Sequence, residues 1–151
     1  MDTDPNFKEF LESLNAHKVR YLVVGAYAMA LHGMPRFTGD LDVWVEPTPE
    51  NAKRVLNALS AFGFGKLNLA ETDLSVPGRI IQLGHPPLRI DILTSITAGD
   101  FSKAYPRRKR GDYGGLTVPV IGLKHLLRNK EAVQRPKDLK DVRRIRSRIR
   151  K

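Results

Sequence analysis

The sequence predicts an α/β (α+β) fold: a single domain in which helices flank one mixed β-sheet. Three observations predict it. The chain has 151 residues, the size of one domain, and 41% of them are hydrophobic, enough for one core. Short apolar runs of strand character alternate along it with stretches whose apolar residues recur at helical spacing. No repeat, low-complexity segment or long linker interrupts that alternation. The domain is read as residues 1–151, with a basic C-terminal helix over about 136–151.

The elements follow in order. Asp4-Pro5 reads as an N-cap with proline at the first helical position, and Phe7, Phe10, Leu11 and Leu14 carry a helix to about His17. Residues 20–25 form a short apolar run ending in glycine, a buried strand. Residues 26–32 form a small-residue helix closed by Gly33 and Pro35. Residues 40–46 alternate with period two, a strand. Thr48-Pro49 opens an amphipathic helix with Val55, Leu56, Leu59 and Phe62 inward and Gly63 as its stop. Residues 64–77 give no clear element. Residues 79–83 and 88–94 read as an antiparallel hairpin. Residues 98–107 read as a helix interrupted near Pro106, and residues 116–121 as a strand. Residues 122–133 and 136–150 are helices parted by Gln134, Arg135 and Pro136. Strands and helices so interleaved imply helices packed on a mixed sheet.

Composition narrows the function. There are no cysteines, which excludes disulfides and thiolate metal sites. No window approaches the roughly 18 apolar residues of a membrane span, and the acidic start lacks the apolar core of a secretory signal. A cytoplasmic protein with no membrane partner is expected. The net charge of +10 is unevenly spread: residues 1–100 hold 9 Lys+Arg against 12 Asp+Glu, and residues 101–151 hold 17 against 4. A basic block of that kind attracts polyphosphate, nucleic acid or an acidic partner, or else is a solvated helix face.

The strongest local signal is Asp40-Leu41-Asp42-Val43. On a strand, residues i and i+2 share a face, so the two carboxylates project together while Leu41, Val43 and Val45 enter the core. Adjacent like charges raise each other's pKa unless a cation lies between them, and magnesium accepts such hard oxygen ligands. Asp91, flanked by Ile90 and Ile92, stands in the same way on a later strand. If the two strands are neighbours, three carboxylates converge and suit two Mg2+ ions, with Mn2+ as a substitute, for in-line phosphoryl transfer; Asp91 is then a ligand or general base. Upstream, Gly25-Ala26 joins a strand to a helix, where glycine admits a phosphate and a helix N-terminus offers N–H groups. Arg36 is a candidate phosphate clamp, and Thr38 a phosphate hydrogen-bonding partner or turn cap. His32 and Trp44 read as packing residues.

Taken together these residues resemble the nucleotidyltransferase superfamily that includes DNA polymerase beta. The pattern of a glycine turn, a short helix, a carboxylate pair and a later carboxylate strand reads here as Val24-Gly25-Ala26, Asp40-Leu41-Asp42-Val43 and Asp91. The small bacterial and archaeal members, including minimal and abortive-infection-toxin types, are more similar still, with Asn129-Lys130, Arg135, Lys137-Asp138 and Asp141 matching their C-terminal motif. The resemblance covers roughly residues 20–145. It implies a polymerase-beta-like fold, Mg2+ dependence and transfer of a nucleoside monophosphate from an NTP. It further implies Lys130 and Lys137 near the nucleotide phosphates, with Asp138 orienting one of them. Ala26 departs from the Gly or Ser usual there and removes a hydroxyl that could touch a phosphate. The acceptor favoured is tRNA, met by the basic C-terminal third; a protein or small-molecule hydroxyl is the other class. The rival reading is a non-catalytic nucleotide- or RNA-binding protein on the same fold, or one that pairs with a cognate toxin or antitoxin.

Overall fold

The computed structural model describes residues 4–35, 39–64, 68–85 and 88–150. Helix α1 (Pro5–Ala16) starts where the Asp4 carboxylate accepts the N–H groups of Asn6 and Phe7, at 2.8 and 3.2 Å. Strand β1 (Tyr21–Val24) is buried throughout and runs directly into α2 (Gly25–Leu31). Strand β2 (Asp40–Val45) follows, then α3 (Pro49–Leu59), capped by Thr48. The chain leaves α3 through one wide turn in which Gly63 takes φ 106°. Next come α4 (Thr72–Ser75), β3 (Ile80–His85), β4 (Leu88–Leu93), α5 (Phe101–Ala104), β5 (Lys109–Tyr113), β6 (Leu116–Val120), α6 (Leu123–Val133) and α7 (Pro136–Arg150).

Three departures from the sequence reading have physical causes. The helix expected over 98–107 is one turn, capped by Asp100, followed by a 3-10 turn at Tyr105–Arg107; Pro106 has no N–H to continue the helical ladder. Residues 72–75 add a helical turn in a stretch where none was read. Strand β5 was missed altogether. Its sequence KRGDY is charged, because it is an edge strand with only Gly111 and Tyr113 turned inward; charge on an edge blocks pairing with other chains. It folds back onto β6 through Gly114 and Gly115, both at positive φ (59° and 90°), as a tight hairpin demands.

The six strands lie in the order β3-β4-β2-β1-β6-β5. Strand β1 is antiparallel to β2 and parallel to β6, and β2 is parallel to β4. Antiparallel hairpins close both edges, giving the mixed sheet the sequence predicted. One face, with Tyr21, Val23, Leu41 and Val43, meets α1, where Tyr21 donates to Asn15 Oδ1 at 2.7 Å. The opposite face carries Leu22, Val24, Asp42 and Trp44 and is covered by α5 and α6. Trp44 meets the Phe101 ring edge-on at 5.2 Å, so it packs rather than presenting a stacking surface. Buried Asn51 ties the start of α3 to both central strands: it accepts from Arg20 N at 2.8 Å and donates to Arg20 O and Glu46 O, each at 3.0 Å. No helix among the described residues is long and apolar enough to cross a membrane.

Candidate active site

The parallel pairing of β2 with β4 sets Asp42 opposite Asp91 and Asp40 opposite Arg89. Register partners on adjacent strands point to one face, about 4.8 Å apart. The antiparallel pairing of β1 with β2 sets Val24 opposite Asp42, so the next residue, Gly25, lies against the same carboxylate. Gly25 has φ +69°, and a Cβ there would run into Asp42 Oδ2. Glycine is therefore required twice, for the backbone and for the space.

Burial pushes the Asp42 carboxyl up to about 7, and the charges of Asp91 and Asp40 add to it. Burial also raises Asp91, with Asp40 adding and Arg89 opposing. Arg89 is the local counter-charge. Its Nη2 lies 3.4 Å from Asp40 Oδ2 and 3.3 Å from Asp91 Oδ2. Its Nε is 3.1 Å from Asp91 Oδ1, yet the N–H is misaligned, and both buried atoms lack a hydrogen bond. An unsatisfied buried carboxylate oxygen beside a carboxyl that resists ionisation is a donor set suited to a hard divalent cation. No three His, Cys, Asp or Glu side chains among the described residues are gathered closely enough to hold an ion as they stand. The three-carboxylate convergence expected from the sequence is, in this arrangement, a register pair, Asp42 and Asp91, with Asp40 drawn toward Arg89.

A cleft of about 460 Å³ opens over Asp42, lined among others by Gly25, Arg79, Asn129, Lys130 and Arg135, while Asp91 and Asp40 stand beside it outside the lining. This lies within the range of small-ligand sites. Ala26 sits in the first turn of α2, whose N-cap, Val24, supplies no side-chain cap to the opening N–H groups. Lys130 is buried, with Nζ 3.3 Å from Asp138 Oδ1 and 3.0 Å from Asp141 Oδ2. Asp138 also accepts from Arg135 Nε at 2.7 Å. Burial opposes Asp138 ionisation, but the Arg135 hydrogen bonds and Lys130 hold its carboxyl below the ordinary value.

Lys137 is not brought to this cleft. The buried face of α7 carries Asp138, Asp141, Val142 and Ile145, and Lys137, one residue off that face, is exposed. The cation at the cleft from this turn is Arg135. Arg36 and Thr38 lie outside the described residues. Beyond the expected set, the structure adds Arg89 and Arg79; Asn129 and Arg135, already matched to the C-terminal motif, line the cleft, and Asn129 accepts from Ala98 N at 3.0 Å. Arg89 was within reach of the sequence, being two residues before Asp91 on a strand; Arg79 carries no such signal. His32 packs as expected, its Nε2 2.7 Å from Ile121 O.

No family model and no curated protein matches the sequence. Solved structures do. A proposed nucleotidyltransferase from Thermotoga maritima is 17% identical with a TM-score of 0.58, over 95% of this chain and 90% of that one. The solution structure of the antibiotic-resistance factor ANT(2'')-Ia is 12% identical with a TM-score of 0.58, over 93% of this chain and 80% of that one. A nucleotidyltransferase-like antigenic protein from Paracoccidioides brasiliensis is 17% identical with a TM-score of 0.53, over 94% of this chain and 73% of that one. At these identities the likeness establishes the fold.

Proposed function

We propose, from a fold shared with nucleotidyltransferases, that this chain transfers a nucleoside monophosphate from a Mg2+-bound NTP to an acceptor hydroxyl: the acceptor oxygen bonds to the α-phosphorus, the bond from that phosphorus to the α–β bridging oxygen breaks, and pyrophosphate leaves. The observation that carries the reading is the Asp42–Asp91 register pair beside Gly25, whose Asp42 carboxyl resists ionisation first through burial and then through the charges of Asp91 and Asp40. Asp42 and Asp91 hold the cation, joined by Asp40 once it parts from Arg89. When bound, the cation offsets the clustered negative charge and acidifies the attacking hydroxyl. Gly25 leaves room for the triphosphate, and the N–H groups opening α2 face its oxygens. Arg135 and Lys130 supply positive charge at the cleft wall, with Asp138 fixing both. Asp91, one oxygen unsatisfied, accepts the acceptor's proton.

Three acids and one guanidinium leave the cluster with a formal charge of about −2, which one divalent ion balances. Asp42 and Asp91, with Asp40, would hold such an ion, and further divalent charge would be balanced by the triphosphate itself. The acceptor favoured is the hydroxyl of an RNA such as tRNA, in the cytoplasm. ANT(2'')-Ia has been solved with adenylyl-2''-tobramycin, a small-molecule adduct; an amine-rich acceptor of that kind is disfavoured here by the basic surface of the last third of the chain. The test is incubation with α-labelled NTPs, Mg2+ and total RNA. Label transfer that is lost in Asp42→Asn is expected; nucleotide binding without transfer to RNA or to small hydroxyl acceptors overturns the catalytic reading.

A further inference from the structure

A second cleft lies away from the one that Asp42 lines, and is more than twice its volume. It measures about 1020 Å³ and lies between the end of α2, the start of α6, the entry to β5 and the last turns of α7. Its lining contains five cations, Arg107, Lys109, Lys124, Arg128 and Arg148, and no Asp or Glu. Among the described residues none of the five is ion-paired, so no carboxylate offsets the charge that the concavity gathers. Like charges gathered in a concavity repel and focus a positive potential into it. The two histidines there register this: His32 is lowered by burial and by Arg148 and Lys109, and His125 by burial and then by Arg128 and Arg107.

The cleft is built, not merely a charged surface. Arg148 crosses from α7 and donates to His32 O at 2.6 Å. It passes directly over Gly33, where a Cβ would strike its guanidinium. Gly122, at the mouth of α6, lies so close to Arg107 O that a Cβ would stand 3.0 Å from it.

Its position relates it to the carboxylates. Ile121 N donates to Val23 O, extending β6 beside β1, and Val24 lies opposite Asp42. Gly122 and Asp42 are therefore at the same edge of the sheet, two strand spacings or about 10 Å apart. The lining has no Phe, Tyr or Trp for bases to stack on and no Asn or Gln to read them, so it addresses phosphates and not sequence. Lys109 is shared with a neighbouring cleft that Arg108 and Arg110 also line, so the positive charge runs on beyond this one, which suits a polymer rather than a single small anion.

We propose that this cleft seats the phosphodiester backbone of an RNA acceptor strand whose hydroxyl reacts at Asp42 and Asp91. The assignment of that hydroxyl rests on the transferase reading above; the binding itself does not. The test is fluorescence anisotropy of the full chain with a labelled 12-nucleotide single-stranded RNA across a salt series, without NTP. Wild type binds with log Kd rising against log[salt] at a slope of about 0.7 for each phosphate that the cleft neutralises. Lys124→Ala with Arg128→Ala weakens binding by about tenfold or more and lowers the slope by about 1.4. Arg146→Ala, on the same basic helix but paired with Glu131, changes neither. The melting shift caused by Mg2+-NTP is the same in all three proteins, which reports that the nucleotide cleft is intact.

Equal RNA affinity in the double variant, equal loss in Arg146→Ala, or equal binding of polyglutamate of the same length overturns the proposal. RNA binding that responds to the double variant while no label is transferred leaves the cleft standing and removes the transferase reading. Transfer to a small hydroxyl with no RNA binding does the reverse.

Discussion

Replacing Asp42 by asparagine stabilises the metal-free protein, although it destroys the site. The Asp42 carboxyl titrates at about 7 against an ordinary 3.8, chiefly through burial and then through Asp91 and Asp40. A raised folded-state pKa means that the native protein holds the proton longer than the unfolded chain. Below pH 3.8 the group is protonated in both states and costs nothing; between 3.8 and about 7 the unfolded chain ionises first and stability falls. Above about 7 the whole penalty is present. Each pH unit of that interval is worth about 1.36 kcal/mol, so its ceiling is about 4 kcal/mol. The charge is shared with two other acids and the site relaxes and hydrates, so about 2 kcal/mol is the figure expected. For a chain of this length that is a rise in Tm of about 4–8 °C.

The assay is thermal unfolding of wild type and Asp42→Asn from pH 4 to 8.5, in EDTA and in Mg2+. In EDTA the two curves meet near pH 4 and separate as pH rises, with the variant above. In Mg2+ the order reverses at pH 8, because only wild type gains about 2.7 kcal/mol at an ion concentration 100 times its Kd. A variant no more stable than wild type at pH 8 in EDTA would show that ionising Asp42 in its buried setting carries no penalty for a cation to relieve, and the proposed metal site would fall with it.

Arg89→Ala removes the counter-charge of Asp40 and Asp91; it lowers Tm in EDTA and tightens Mn2+ about tenfold, read by the paramagnetic signal of the free ion, with wild type binding one ion before nucleotide. Asp138→Asn leaves Lys130 buried with one acid fewer and costs about 3 kcal/mol in urea unfolding, a loss that Mg2+ does not restore. Gly25→Ala meets both a positive φ and the Asp42 carboxylate, so it lowers stability by at least about 1 kcal/mol and abolishes the Mn2+ signal change. Asn51→Ala leaves the buried N–H of Arg20 without its partner and costs about 2 kcal/mol, while leaving Mn2+ binding unchanged.

The acids of the candidate site were legible in the sequence and its cations largely were not, for a geometric reason. A strand has only two faces, so Asp40 and Asp42 had to share one, and the apolar neighbours of Asp91 fixed its face as well. The remaining unknown was whether β2 and β4 are neighbours, and buried runs on both made that the economical arrangement. Gly25 followed from its place between a strand and a helix. The charged edge strand Lys109–Tyr113 was invisible because its composition serves the edge and not the core.

Cations on helices face a finer choice. One residue of phase turns a side chain by about 100°, so Lys137 and Asp138 cannot both face the cleft. The phase of α7 is set where no pattern announces it, at Gln134, which ends α6 in the left-handed conformation at φ 56° and ψ 27°. That turn sends Asp138 inward to Lys130, leaves Arg135 at the cleft and puts Lys137 in solvent. The basic cleft is further still from the sequence. The charge count showed that the last third of the chain is basic, but Arg107, Lys124 and Arg148 become one concave site only when α6 starts beside the end of α2 and α7 returns across both. A charge tally is a property of the chain. An uncompensated charge in a concavity is a property of the fold, and it is the second that singles out a binding site.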